Sequence, residues 1–145
     1  MTTMVSMERI NNSSRISQRR PFQALLLFNG LSALFGGSVL VTAPDGSILG
    51  MPLSLLATTP FADFLLPGLI LFTFLGLGSS IGWALVYRRH PWATRWVQMV
   101  GTATIVWIVT QMIMLRGVSF LHVIYITVGI LLILLAKRGA AFWRP

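Results

Sequence analysis

The chain contains no cysteine, which removes disulfides, thiol nucleophiles, iron–sulfur clusters, Cys-ligated zinc and dithiol relays from consideration. Acidic residues are nearly as scarce, with only Glu8, Asp45 and Asp63. Histidine occurs twice, as His90 and His122, with no HExxH pairing and no carboxylate cluster to hold a metal. One histidine inside an apolar run cannot make a bis-His haem site. No GxSxG elbow, Walker loop or GxGxxG fingerprint is present, and Gly76-Leu77-Gly78 lies within an apolar run where no phosphate loop belongs. Charged residues make up 10% of the chain, against about 25% in soluble domains. No metal and no cofactor is expected.

What the chain has is apolar length. Of its 145 residues 55% are hydrophobic, and the mean hydropathy is +0.80. That excludes a disordered chain and points to a membrane protein of one domain. A spanning helix needs about 20 mostly apolar residues to cross about 30 Å of hydrocarbon. Four stretches meet this, at about 21–41, 64–87, 92–115 and 118–136. They are apolar nearly all round and lack the alternation of barrel strands. The predicted fold is an all-α four-transmembrane-helix bundle, domain 21–137, flanked by an unstructured basic tail (1–20) and a short C-terminal tail (138–145). The first stretch is too long for a signal peptide, and Pro44 after Val41-Thr42-Ala43 would make a poor scissile bond.

Basic residues set the expected orientation. Arg9, Arg15, Arg19 and Arg20 precede the first span, Arg88, Arg89 and Arg95 join the second to the third, and Lys137, Arg138 and Arg144 follow the fourth. Four crossings put all ten on one side and leave Arg116 with Asp45 and Asp63 on the other. The positive-inside rule then places both termini in the cytoplasm of a cell membrane. Trp92, Trp96 and Trp143 fall near the same inner boundary, where amphipathic rings settle. The basic tail serves as a topology signal or touches anionic lipid. Four arginines beside a membrane do not make a nucleic-acid site.

The connection between the first and second spans is the most distinctive region. Ala43-Pro44-Asp45-Gly46 is a turn signal, and Ser47–Ala57 is too short to span yet too apolar for a free loop. A short interfacial or re-entrant segment is predicted there, with Pro52 at its first turn. Thr59-Pro60 reads as a helix start, and Asp63 suits the dipole of the helix that follows. Small residues recur at helical spacing (Ser32 with Gly36, Ala33 with Gly37, Gly76 with Ser80, Gly78 with Gly82), a pattern of close helix packing.

Polar groups inside apolar spans point to function or to structural bonding. Asn29 suits an interhelical hydrogen bond. Gln98, Gly101, Thr104, Ile108 and Gln111 share one face of the third span, which should turn inward. Gln111 and His122 lie at matching depth across the Arg116-Gly117 hairpin, and Tyr125 shares a face with His122. Asp63, Gln111, Arg116, His122 and Tyr125 are therefore expected to gather near the outer boundary. They would either hold an anionic or polar head group, with Arg116 as anchor, or form a structural network.

Gly36-Gly37, Pro44-Asp45-Gly46-Ser47, Leu49-Gly50-Met51, Thr59-Pro60-Phe61, Asp63-Phe64, Pro67-Gly68, Gln111, Arg116, His122 and Tyr125 together resemble small uncharacterised bacterial four-helix integral membrane proteins, loosely DoxX-like. The resemblance covers about residues 21–136. It implies a bacterial cytoplasmic-membrane location and carries no reaction and no catalytic residue. The function predicted is non-enzymatic: an accessory subunit, or a small binding or transport component. The alternative is a membrane enzyme acting on a lipid or quinone at the outer leaflet. The partners expected are the lipid bilayer, anionic lipid at the basic face, and a membrane protein or a second copy of the chain.

Overall fold

The computed structural model describes the backbone of residues 2–139 and the side chains of residues 20–138. The extreme C-terminal tail, with Trp143 and Arg144, lies outside the described residues. Helix α1 is Thr2–Thr42, α2 is Leu65–Tyr87, α3 is Ala93–Leu115 and α4 is Phe120–Gly139. Among the described residues four apolar segments are long enough to cross a membrane: Arg20–Thr42, α2, α3 and Phe120–Arg138. Away from the helix ends and the prolines, residues in these segments bond their backbone within their own helix, which is what hydrocarbon demands. The protein is an all-α, multi-pass four-helix bundle.

The backbone of α1 is helical from Thr2, although the polar composition of 1–20 predicts no regular structure there. A helix already nucleated within the bundle gains one hydrogen bond for each residue it adds, so it can extend through poor helix formers. Pro21 lies inside α1 and removes one backbone donor without ending the helix.

Short links make neighbouring helices antiparallel: residues 88–92 join α2 to α3, and 116–119 join α3 to α4. Thus both ends of the described chain sit at one end of the bundle, the terminal end, and the 43–64 connection sits at the other, the loop end. α1 packs along α2, α3 packs along α4, and α1 meets α4 more lightly. Where α3 crosses α4 the helices touch through glycine: a Cβ on Gly101 would come within 2.8 Å of the Gly129 carbonyl oxygen. Gly37 does the same for α1 and α2, since a Cβ there would meet the Phe72 backbone at 2.7 Å. Lipid tails offer no hydrophobic drive to bring helices together, so such close packing carries the association.

The main apolar core fills the terminal half, built from Phe22, Leu26, Val86, Val97, Leu132 and Ala136 with their neighbours. Halfway along, Asn29, Ser79 and Thr104 are fully buried. A smaller core of Leu40, Leu56 and Phe64 occupies the loop end. Large side chains on the outer surface, such as Phe35, Phe74 and Ile113, face where lipid would be.

Helix α2 is not uniform. Leu71–Leu77 widens into a π-helical stretch between α-helical Leu65–Ile70 and Gly78–Tyr87. Side chains meet carbonyls around it: Ser80 Oγ donates to Gly76 at 2.9 Å, and Trp96 Nε1 donates to Gly78 at 2.8 Å. Pro67 lies in the first turn of α2, where it costs no hydrogen bond and causes no break.

Candidate functional site

The loop end is closed by the 43–64 connection folding back over the helices. Gly46 adopts φ 75°, and a Cβ there would collide with the Met51 carbonyl oxygen, so only glycine suits this turn. The Gly46 carbonyl accepts the backbone N–H of Leu49 at 3.2 Å and of Met51 at 3.0 Å. Asp45 Oδ1 accepts the Ser47 hydroxyl at 2.7 Å and the Ser47 N–H at 3.1 Å. Those bonds favour its ionised form and lower its pKa, the hydroxyl contributing most. Two 3₁₀ turns follow, Ser47–Leu49 and Leu53–Leu56, the second entered through extended Pro52. Phe64 N–H donates to the Pro44 carbonyl at 2.8 Å and closes the base of the loop. The Thr58 hydroxyl donates to the Met114 carbonyl at 2.9 Å, fastening the far side to the end of α3.

Beneath this roof is a cavity of about 90 Å³. Its walls come from Leu40 on α1, Pro67 on α2 and Trp107, Thr110, Gln111, Met114 and Leu115 on α3; the roof is Met51, Leu56, Thr59, Phe61 and Phe64. The lining is mostly apolar, with Gln111 and the two threonines as the side-chain exceptions. The Thr hydroxyls donate to carbonyls of their own segments, Thr59 to Leu56 and Thr110 to Val106. The Trp107 indole Nε1 is buried and has no acceptor.

The five residues expected to cluster have separate local roles. Asp63 Oδ1 accepts the Leu65 N–H at 2.9 Å, a local turn that satisfies the first backbone donor of α2, while Phe64 occupies the cap position without a side-chain bond. The helix start therefore lies beyond Thr59-Pro60, where the sequence pattern places it; Thr59 Oγ1 instead accepts the Phe61 N–H in a local turn. Arg116 is exposed and ends α3 in a left-handed conformation at φ 47°. His122 Nδ1 accepts the Ser119 N–H at 2.8 Å, capping the start of α4. Tyr125 stacks on Phe28 with ring centres 5.9 Å apart, tying α4 to α1. Only Gln111 lines the cavity. Among the described residues no hydrogen bond joins any two of the five; Asp63 Oδ1 and His122 Nδ1 bond adjacent backbone instead.

Asn29 forms the interhelical bonds its position predicts. Its amide nitrogen donates to Ser79 Oγ at 2.9 Å and Thr104 Oγ1 at 3.1 Å, joining α1, α2 and α3. The Thr104 hydroxyl in turn donates to the Val100 carbonyl at 2.9 Å. Asn29 Oδ1 remains buried without a partner. Gly101, Thr104 and Ile108 are buried, as the inward face of α3 requires. Sequence did not single out Trp107, and it marked the 43–64 connection as distinctive without assigning Met51, Leu56, Thr59, Phe61 or Phe64 to a cavity. A tryptophan in an apolar span looks like one more large hydrophobe until its N–H is found without an acceptor.

Among the described residues no three His, Asp or Glu side chains come together in a way that could hold a metal ion. No protein-family model matches the chain, nor does any curated protein or solved structure. The class defined by the fold alone is that of a multi-pass helical membrane protein.

Proposed function

We propose that this chain is a non-enzymatic membrane component that binds a small apolar guest at its loop end, as a binding or transport protein or as the accessory subunit of a larger assembly. The observation that carries this reading is the roofed cavity of about 90 Å³. An apolar lining with few polar groups is the usual character of small-molecule sites, and the volume sets the guest at a few heavy atoms, well below the usual pocket of about 300–1,000 Å³. The groups best suited to acid–base chemistry, Asp63 and His122, each accept a neighbouring backbone N–H at the start of a helix. The resemblance to small bacterial four-helix membrane proteins, loosely DoxX-like, accords with a role in the cytoplasmic membrane.

The same reading sets the termini in the cytoplasm and the cavity at the outer leaflet. Arg20, Arg88, Arg89, Lys137 and Arg138 lie toward the terminal end, and Arg116 alone among the described basic residues lies at the loop end. Because the chain has no cysteine, single Ser47→Cys and His90→Cys variants report orientation directly. Ser47→Cys labelled by an impermeant reagent from outside, with His90→Cys protected, is the expected result. The reverse pattern overturns the orientation.

Native mass spectrometry of the protein from its membrane tests the binding. A small molecule should be retained by the native chain and lost from Thr110→Phe, which fills the cavity. Identical spectra from the two, with no guest in either, would reject the binding reading.

A further inference from the structure

We propose that the terminal end of the bundle binds an anionic phospholipid. Arg88, Arg89 and Arg95, around the link between α2 and α3, hold its headgroup, with Arg20, Lys137 and Arg138 as flanking cations. The site lies a helix length from the loop-end cavity, and neither requires the other.

The six cations come from all four helices, and packing brings them to one level. Phe22, Val86, Ala93 and Ala136 belong to a single buried core. Arg20 is two residues before Phe22, Arg88 two after Val86, Arg95 two after Ala93, and Lys137 adjoins Ala136. Two helical residues span about 3 Å, so these cations ring the end of that core. All six side chains are exposed. The link at their centre is pinned by its own backbone. The N–H groups of Arg88, Arg89 and His90 donate to the carbonyls of Ala84, Val86 and Leu85 at 2.9, 3.2 and 2.9 Å. The His90 carbonyl accepts the Ala93 N–H at 3.0 Å, and Arg89 is held left-handed at φ 56°. Three guanidinium groups therefore extend from a segment that has little backbone freedom left to lose on binding.

Among the described side chains no carboxylate answers this charge. The acidic ones are Asp45 and Asp63, both at the loop end, and the 23 residues of α3 set the two ends about 34 Å apart. Glu8 is twelve residues before Arg20, about 18 Å along α1, with Arg9, Arg15 and Arg19 between them. A topology signal needs its positive charge only during insertion. In the folded protein six like charges still repel one another and draw a counter-charge. Aromatic rings identify the layer that supplies it. Tyr87 and Trp92 flank the link, 67% and 62% exposed, and Trp83 stacks on Tyr87 with ring centres 5.4 Å apart. Such rings settle at the headgroup level, which puts the cations among lipid phosphates. That depth favours a lipid over an acidic protein, which would have to displace the headgroups. A zwitterionic lipid brings its own ammonium and leaves the excess charge standing. An anionic phospholipid brings net negative charge, and its phosphate oxygens match the paired N–H groups of a guanidinium.

The test uses the full chain in phosphatidylcholine bilayers with a trace of spin-labelled phosphatidylglycerol or spin-labelled phosphatidylcholine. Electron spin resonance gives the fraction of each lipid held at the protein surface. Phosphatidylglycerol should associate about fivefold more strongly, the scale of one cation acting near a charged membrane surface. The triple variant Arg88→Gln/Arg89→Gln/Arg95→Gln should bring the two lipids to within about twofold. Arg116→Gln, a charge removed from the loop end, should leave the preference intact. Equal association of both lipids with the native chain overturns the proposal. So does a preference that survives the triple substitution, or one that Arg116→Gln abolishes. A second measurement on the native chain decides even if the triple variant folds poorly. Phosphatidylglycerol with a photoreactive headgroup should crosslink to residues 87–95, and excess phosphatidylglycerol, but not phosphatidylcholine, should displace it. Crosslinks confined to the loop end, or displaced equally by both lipids, reject the site.

Discussion

The two halves of this bundle solve the same packing problem differently. The terminal half is filled by side chains from all four helices, and Leu26, Val97 and Leu132 have no exposed surface. The loop half is filled by a folded connection, and it leaves a cavity between that roof and α1, α2 and α3. Direct helix-to-helix packing makes one half rigid, because interiors at crystal-like density resist small shifts. A roof held by a few hydrogen bonds makes the other half adjustable without disturbing the membrane spans. The cavity therefore lies where the packing is completed by a loop.

That contrast can be broken from the packed side first. Gly101→Leu should separate α3 from α4, since even a Cβ at this position meets the Gly129 carbonyl and Leu132. A loss of about 3 kcal/mol is expected in reversible unfolding in mild detergent, with all probes of structure failing together. A loss confined to one segment would contradict a rigid terminal half.

On the roof the effect should be smaller and local. Gly46→Ala forces a side chain into a left-handed turn and against Met51, at a cost of about 2 kcal/mol. Hydrogen exchange should rise through 46–64 while α3 and α4 keep their protection. Uniform loss of protection would show that the roof and bundle fold as one unit.

Between the halves, Asn29→Ala removes the bonds to Ser79 and Thr104 and should cost about 1.5 kcal/mol. The cost stays modest because Thr104 keeps its bond to Val100 and the orphaned Asn29 oxygen disappears along with the bonds.

The smallest effect is that of pH on the roof. Ser47 holds the Asp45 carboxyl below its ordinary range, so the folded turn binds its proton less readily than the unfolded chain does. Its stabilisation is complete above the ordinary carboxylate value and is lost as pH falls through the lowered one. Exchange at the Ser47 amide should accelerate over that acidic interval, and Asp45→Ala should remove the dependence.

The four spans, the absence of strands among the described residues and the inward face of α3 were legible from composition and spacing, because the bilayer imposes length and backbone self-satisfaction on any spanning segment. The same holds for Asn29, whose amide would be costly against lipid and so points inward. The grouping of Asp63, Gln111, Arg116, His122 and Tyr125 rested on matching depth, the tight Arg116-Gly117 hairpin and the cost of polar groups facing lipid. Depth follows from counting residues, but the partner a side chain chooses does not. His122 and Asp63 found backbone N–H groups two or three residues away, at less entropic cost than a bond across the bundle. Helix length, burial preference and the turn at Gly46 are local properties and can be read along the chain. The cavity, the unanswered Trp107 N–H and the roof fastened by Thr58 depend on how segments more than fifty residues apart meet, and only the tertiary packing decides that.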